Sequence, residues 1–151
     1  MFRQILPVLF TVVMLGGITA PAFASPASGR SASASSFQIC THLNSNQCLS
    51  SQGIGAQVTI TDNDRTTYID TGFTIFVANE LGHCLVADGS IVETSTSCGG
   101  RSAEWTITNG HYKNADGNCY LAVFNPPSQG EGVACVQPTS SWDWTWDQVS
   151  R

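Results

Sequence analysis

Apolar and polar residues alternate over short stretches of the chain, and no long stretch carries the apolar period of an amphipathic helix. Side chains two residues apart lie on the same face of a strand, so this alternation is typical of half-buried strands. Turn-forming pairs separate the stretches; examples are Asp88-Gly89, Asn109-Gly110 and Pro126-Pro127. The pattern predicts an all-β fold built from many short strands.

The strand pattern repeats at a nearly constant spacing. The pairs Cys48-Leu49, Cys84-Leu85 and Cys119-Tyr120 lie 36 and 35 residues apart, and an aromatic-polar-aliphatic stretch precedes each pair. Repeats of this length are supersecondary units that bury their apolar faces only by packing together. We therefore expect three equivalent units closed around a pseudo-threefold axis, because closure removes exposed strand edges. Their expected bounds are about 37–72, 73–104 and 105–151.

Six cysteines fall within these units. In an exported domain of this size they predict three disulfides, although their number alone leaves many pairings open. In the second and third units another cysteine follows the central one by 14 and 16 residues, whereas the first unit has its second cysteine upstream. Repeat symmetry therefore favours Cys84–Cys98 and Cys119–Cys135, which leaves Cys40–Cys48 as the third pair.

The N-terminal residues have the composition of a targeting segment. Arg3 precedes an apolar stretch and Ala22-Phe23-Ala24 fits the small-x-small cleavage rule, so residues 1–24 are predicted to be a signal peptide. Residues 25–36 are almost entirely Ser, Ala, Pro and Gly, which predicts a disordered leader before a folded domain at 37–151. We expect a secreted, extracellular protein without membrane insertion after cleavage; a retained N-terminal anchor is the alternative.

Charge and motif content narrow the chemistry. The chain has a formal net charge of −5 and its few basic residues are scattered, which argues against a phosphate-binding surface and hence against nucleic acid. The three histidines lack metal-ligand spacing, and Asp62-Asn63-Asp64 lacks the glycine and glutamate of a calcium loop, so we expect no metal or cofactor. No Gly-x-Ser-x-Gly motif occurs, and we expect no enzymatic activity.

The threefold pattern of a central Cys-Leu pair, a later second cysteine and an aromatic-centred strand resembles the ricin-type β-trefoil lectin family, over Phe37 to Val149. The resemblance implies a β-trefoil with up to three shallow sugar pockets, one per unit. The family's sugar-binding Asp after Cys-Leu is replaced here, by Ser50, Val86 and Leu121. Its Gln-x-Trp motif keeps only an aromatic residue, at Phe73, Trp105 and Trp144. The pockets are therefore expected to be altered or degenerate.

The segment Ser141–Gln148 holds three of the four tryptophans of the chain. Alternation would place Trp142, Trp144 and Trp146 on one face of a single strand. By alignment of the repeats, we expect core positions for Phe37, Phe73, Trp105, Trp144 and Trp146. Trp142 has no counterpart in the repeat, and it is the best of the three candidates for stacking on a sugar.

The candidate ligand-binding residues lie after the central cysteines and in the tryptophan segment: Asp88, Tyr120, Phe124, Asn125 and Trp142. The alternatives are that Asp88 belongs to a turn, Asn125 to a loop break and Tyr120 to the core. The sequence favours a secreted, monomeric, lectin-like protein that binds a carbohydrate or a glycan-bearing surface. The alternative is a β-trefoil that binds a protein, as a protease inhibitor or effector does, through its longest loop, Phe124–Gly132.

Overall fold

A computed structural model describes residues 35–150, so the predicted signal peptide and most of the predicted leader lie outside the described residues. Over this range the chain forms thirteen strands and one short 3₁₀ helix, Arg101–Ala103, which confirms the all-β prediction. The strands are β1 Phe37–Thr41, β2 Gln47–Ser50, β3 Thr59–Asp62, β4 Tyr68–Asp70, β5 Ile75–Val77, β6 Cys84–Asp88, β7 Ile91–Ser95, β8 Trp105–Thr108, β9 His111–Asn114, β10 Tyr120–Phe124, β11 Ala134–Val136, β12 Trp142–Asp143 and β13 Trp146–Ser150.

Six strands form a closed ring. β1 pairs with β13 on one side and with β4 on the other, β4 pairs with β5, and β8 pairs with β9, all antiparallel. Backbone hydrogen bonds complete the two remaining junctions: the Trp105 amide donates to the Phe73 carbonyl at 2.7 Å, and the Trp146 amide donates to the Gly110 carbonyl at 2.9 Å. Ring closure leaves these strands without a free edge.

Three hairpins, β2–β3, β6–β7 and β10–β11, meet around a pseudo-threefold axis. Three valine amides mark that axis. Val58 donates to the carbonyl of Val92 at 2.8 Å, Val92 to that of Val133 at 3.1 Å, and Val133 to that of Val58 at 2.7 Å. All three valines are fully buried. The closed ring and the threefold hairpin contact define a β-trefoil, as the repeat predicted.

The ring junctions group the strands as β1–β4, β5–β8 and β9–β13. This grouping assigns β8 to the second unit, whereas the sequence spacing had placed it at the start of the third. The last ring strand of each group begins with a buried aromatic residue, Tyr68, Trp105 or Trp146. The two indole N–H groups donate to equivalent carbonyls, Trp105 to Leu85 at 2.9 Å and Trp146 to Leu121 at 2.8 Å.

The predicted core is confirmed at Phe37, Trp105 and Trp146, and it is wrong at Phe73 and Trp144. Phe73 is 71% exposed because it lies in the turn between β4 and β5. That turn is closed by the amide of Thr71, which donates to the carbonyl of Thr74.

The alignment of the repeats changes with this correction. Because Leu121 accepts the same indole bond as Leu85, Leu121 is the counterpart of Leu85. The residue that follows it, at the family's Asp position, is therefore Ala122 and not Leu121. None of the three units carries an aspartate there, so the expectation of altered pockets is unchanged.

All three disulfides form as predicted. They are Cys40–Cys48, Cys84–Cys98 and Cys119–Cys135, and each lies within one group of strands. None of the helical structure between residues 35 and 150 has the length and hydropathy needed to cross a bilayer.

Candidate functional site

Four of the five candidate residues lie along one strand and its neighbour. Tyr120 and Phe124 both belong to β10, and their positions four residues apart lie on the same face of the strand. Trp142 lies opposite Phe124 in the register of β10 and β12, and Asn125 follows directly after Phe124. Asp88 is separate, at the end of β6 in the second group.

The tryptophan segment is not one strand, in contrast to the prediction. β12 ends at Asp143 and β13 begins at Trp146, so Trp144 lies in the break. The Asp143 carboxylate accepts a hydrogen bond from the amide of Thr145 at 3.2 Å. Such a bond to the second residue onward competes with a strand ladder and favours a turn. Trp144 thus points to the surface and is half-buried, while Trp146 enters the core.

Strands β8, β9 and β10 bring outward side chains into rows beside Trp144. Thr106 lies opposite Lys113, which lies opposite Tyr120, and Thr108 lies opposite His111. The hairpin turn Asn109-Gly110 fixes the register of β8 and β9, because both turn residues adopt positive φ angles, 51° and 78°. Neighbouring strands thereby place threonine, lysine, histidine and tyrosine side chains on one surface.

Three rings form the centre of this surface. The Trp144 indole stacks on the His111 ring, with centroids 4.2 Å apart and planes inclined by 28°. Tyr120 meets Trp144 edge-on, at 5.5 Å and 66°. The backbone holds the arrangement together, since His111 Nδ1 lies 3.1 Å from the Trp144 carbonyl oxygen. The inclined indole and phenol rings form an aromatic corner.

A cleft of about 340 Å³ opens at this corner; we call it the Trp144 cleft. Its polar lining comes from Thr106, Thr108, Asn109 and Lys113, and the lining contains no carboxylate. The Lys113 ammonium lies 5.9 Å from the centroid of the Tyr120 ring. An aromatic face with hydroxyl, amide and ammonium groups around it is suited to a ligand that has both an apolar face and hydroxyl groups.

Phe124 and Trp142 form a second aromatic group, the Phe124 patch. Their rings meet edge to face at 5.7 Å and 82°, and Phe124 is 48% exposed. The Asn125 amide donates to the Ser141 carbonyl at 2.9 Å, and the Asn125–Pro126 peptide is cis. The following loop is joined to β3, because the Gly130 amide donates to the Ile60 carbonyl at 2.7 Å.

Asp88 lies at a different kind of cavity. The two-residue turn Gly89-Ser90, with Gly89 at a φ of 61°, closes the β6–β7 hairpin, and Asp88 is the last strand residue before it. Its carboxylate also lines a cavity of about 350 Å³ together with Glu93 and Asp116. Val86, at the family's Asp position, is buried in the same wall. This cavity, lined by residues of the second group and by Asp116 of the third, is acidic and has no aromatic ring in its lining.

Two tyrosines with shifted pKa values belong to the core and not to these clefts. Burial raises the pKa of Tyr112 to about 12, although a hydrogen bond from Gln148 Nε2 to its hydroxyl lowers it in part. Burial also raises the pKa of Tyr68 well above its usual value, with smaller contributions from Asp64 and Glu80. Between residues 35 and 150, no three His, Cys, Asp or Glu side chains are grouped so as to hold a metal ion.

No protein-family model and no curated protein matches this chain. Solved structures do match its fold. The β-trefoil lectin of the Vibrio vulnificus hemolysin/cytolysin, solved with N-acetyl-D-lactosamine bound, has a TM-score of 0.64 at 11% identity, over 78% of this chain and 95% of that one. The C-half of the earthworm R-type lectin, in complex with GalNAc, has a TM-score of 0.65 at 14% identity, over 78% and 99% of the two chains.

ThreeFoil, a designed protein with threefold symmetry, has a TM-score of 0.63 at 16% identity, over 77% of this chain and 99% of its own. At these identities the similarity shows the fold alone. The chain therefore has a β-trefoil fold, which it shares with these structures.

Trp144, His111 and Lys113 line the cleft but were not among the ligand-binding residues predicted from the sequence. His111 and Lys113 flank the buried Tyr112, so a reading of β9 as an alternating strand after the Asn109-Gly110 turn would have placed both on the outer face. For Trp144 the sequence signal was weaker. Only the ability of the Asp143 carboxylate to accept a hydrogen bond from the amide two residues later distinguishes a turn from a continued strand.

Proposed function

We propose that this chain is a secreted carbohydrate-binding protein that holds a saccharide in the Trp144 cleft. The half-buried indole of Trp144, set at an angle to Tyr120, is the observation that carries the proposal. A pyranose has one apolar face that packs on an aromatic ring, while its hydroxyl groups need fixed polar partners. Thr106, Thr108 and Asn109 supply such partners at the rim.

The same proposal accounts for the residues at the family's Asp position. Ser50, Val86 and Ala122 are all at least nine-tenths buried. Binding in the cleft does not need an aspartate there, because its lining is provided by β8, β9, β10 and the break at Trp144. In this proposal the protein acts as a monomer, without catalysis, on a glycan or a glycan-bearing surface.

The test is a glycan array followed by titration of the oxidised protein, with heat of binding as the readout. Trp144→Ala removes the stacking surface, and we expect saturable binding by the parent protein and at least a tenfold loss of affinity in the variant, or about 1.4 kcal/mol. Trp142→Ala is the matched control, since it removes an indole from the Phe124 patch instead. Loss of binding in Trp142→Ala with full binding by Trp144→Ala would assign the sugar to that patch and contradict the proposal.

A second candidate function is protein binding through the Phe124 patch. Phe124 is the most exposed aromatic side chain of the third group, and its loop is fixed by hydrogen bonds to Ser141 and Ile60. A fixed loop with an exposed aromatic anchor is typical of protein-binding sites. Pull-down from an exported proteome with the parent and with Phe124→Ala tests it: a defined partner that is lost in the variant would support this function.

A further inference from the structure

We infer that the saccharide bound in the Trp144 cleft carries an acidic group, a carboxylate or a sulfate, which pairs with Lys113. This inference rests on the proposed function of the cleft and adds the charge of its ligand. Lys113 is the only lysine of the sequence, and it lies on the outer face of β9 between Thr106 and Tyr120.

The electrostatics of the cleft differ from those of the rest of the surface. The chain is acidic overall, with a formal net charge of −5. Three other cavities are each lined by at least one carboxylate: Asp147 in one, Asp64 and Glu80 in the next, and three in the cavity at Asp88. The Trp144 cleft has none, and it contains Lys113 and His111 instead.

Lys113 also keeps its charge available for a ligand. Among residues 35–150, the carboxylates within salt-bridge distance of a basic side chain pair with histidines, Asp147 with His42 and Glu80 with His83, and none pairs with Lys113. Its ammonium lies over the Tyr120 ring, 5.9 Å from the ring centroid, so the exposed Lys113 carries its positive charge beside the aromatic corner. Because Lys113 and Trp144 line the same cleft, a sugar stacked on Trp144 would lie on the side of the cleft that carries this ammonium. A charged acceptor on that sugar would form a stronger hydrogen bond with the ammonium than a hydroxyl group would.

The remaining cations of the described range lie elsewhere. Arg101 donates to the Ala115 carbonyl at 2.6 Å, and Arg65 lines the cavity that contains Asp64 and Glu80. Neither is part of the cleft. Selection for an anionic sugar would therefore depend on one side chain, which makes the inference testable by single substitutions.

The experiment compares three ligands of matched core: lactose, its 3′-sulfated form and 3′-sialyllactose, titrated calorimetrically against the full oxidised chain. We expect the two acidic sugars to bind about three- to tenfold more tightly than lactose at 50 mM salt, with a smaller difference at 500 mM. Lys113→Gln should abolish the preference and leave lactose binding intact, and Lys113→Arg should restore it. Arg65→Gln is the control, because it changes the net charge equally at another cavity.

The outcomes separate the two proposals. Equal affinity for lactose and both acidic sugars, or an equal effect of Arg65→Gln and Lys113→Gln, would overturn the acidic ligand and leave sugar binding in place. No binding of any saccharide would overturn both. A preference for only the sulfated or only the sialylated form would support the inference and assign the source of the negative charge.

Discussion

The second and third groups of strands share a core and differ in their surfaces. In both, a tryptophan that begins the last ring strand donates its indole N–H to a buried leucine carbonyl. Two residues before that tryptophan the groups diverge: Ala103 is fully buried in a 3₁₀ helix, whereas Trp144 is half-buried in the break between β12 and β13. The nearby cavities diverge with them, one acidic and one aromatic with a lysine.

This difference indicates how a repeated fold is used. The positions that form the ring and the axis need apolar side chains of a given size in every group, because each contributes to one shared core. Outward positions face solvent and carry no such requirement, so one group can hold an aromatic corner where another holds serines and carboxylates. The symmetry therefore fixes the stability of the domain and leaves its binding chemistry free to differ from group to group.

The largest effect that would test the comparison is loss of the shared core position. Trp105→Ala and Trp146→Ala each empty a site that is 2% or less exposed, and each should lower the free energy of unfolding by about 3–5 kcal/mol. Denaturant unfolding of the oxidised protein measures this. If one of the two cost less than about 1 kcal/mol, the two groups would not share an equivalent core.

Replacement by phenylalanine separates the hydrogen bond from the packing. Trp105→Phe and Trp146→Phe keep an aromatic ring but leave the Leu85 or Leu121 carbonyl without its donor, in a fully buried setting. We expect a loss of about 1–3 kcal/mol in each. Similar losses at the two positions would support their structural equivalence. A negligible loss at either position would show that its indole hydrogen bond contributes little to stability.

The surface position should respond differently. Trp144→Ala removes contacts with His111 and Tyr120, yet the side chain is half-buried, so we expect a loss of only about 1 kcal/mol in stability together with the loss of sugar binding. The same unfolding experiment gives the measurement. A cost equal to that of Trp146→Ala would mean that Trp144 is a core residue after all.

The first group extends the comparison, because Tyr68 occupies the position of the two tryptophans but its hydroxyl has no hydrogen-bond partner among residues 35–150. Tyr68→Phe removes this unpaired buried hydroxyl and should therefore leave stability unchanged or raise it by up to about 1–3 kcal/mol at pH 7. Burial raises the pKa of Tyr68, so the folded state keeps the phenol proton to a higher pH than the unfolded state does. The stability that depends on the protonated phenol is fully present below about pH 10, the ordinary tyrosine pKa, and is lost as pH rises further.

Unfolding at pH 7, 9 and 10.5 measures this dependence. The parent protein should lose stability above about pH 10, and Tyr68→Phe should lose less. Tyr112, whose pKa is raised to about 12, supplies a second loss that persists in the variant. A hydroxyl with a strong partner would instead make Tyr68→Phe clearly destabilising at pH 7.

The features that sequence reasoning found are those enforced by the shared core. The spacing of the central cysteines predicted the threefold architecture and, by repeat symmetry, the disulfides Cys84–Cys98 and Cys119–Cys135, which left Cys40–Cys48 as the third pair. Phe37, Trp105 and Trp146 were placed correctly for the same reason. Errors arose where a local turn overrides alternation, at Phe73 between β4 and β5 and at Trp144 after Asp143.

The candidate site was only partly predictable. Tyr120, Phe124, Asn125 and Trp142 were candidates from two separate stretches of sequence, and only the pairing of β10 with β12 brings the two stretches together. The division into a cleft and a separate patch depends on the break in the tryptophan segment. His111 and Lys113 come from a strand whose register is known only once the Asn109-Gly110 turn is placed. The alternation of apolar and polar residues within a segment shows which side chains share a face, but it does not show which distant segment that face contacts.

The pairing of β1 with β13 has a consequence for how the chain reaches this structure. Phe37 lies opposite Ser150 and Thr41 opposite Trp146, so this ladder joins the two ends of the described domain. Hairpins form in microseconds from nearby residues, whereas a contact across nearly the whole chain must restrict a very long loop. We expect the ring to be completed by this seam after the hairpins have formed, with the amides of β1 gaining protection last in pulsed hydrogen exchange. Trp146, at the end of the seam, then becomes part of the core only in the final step of folding.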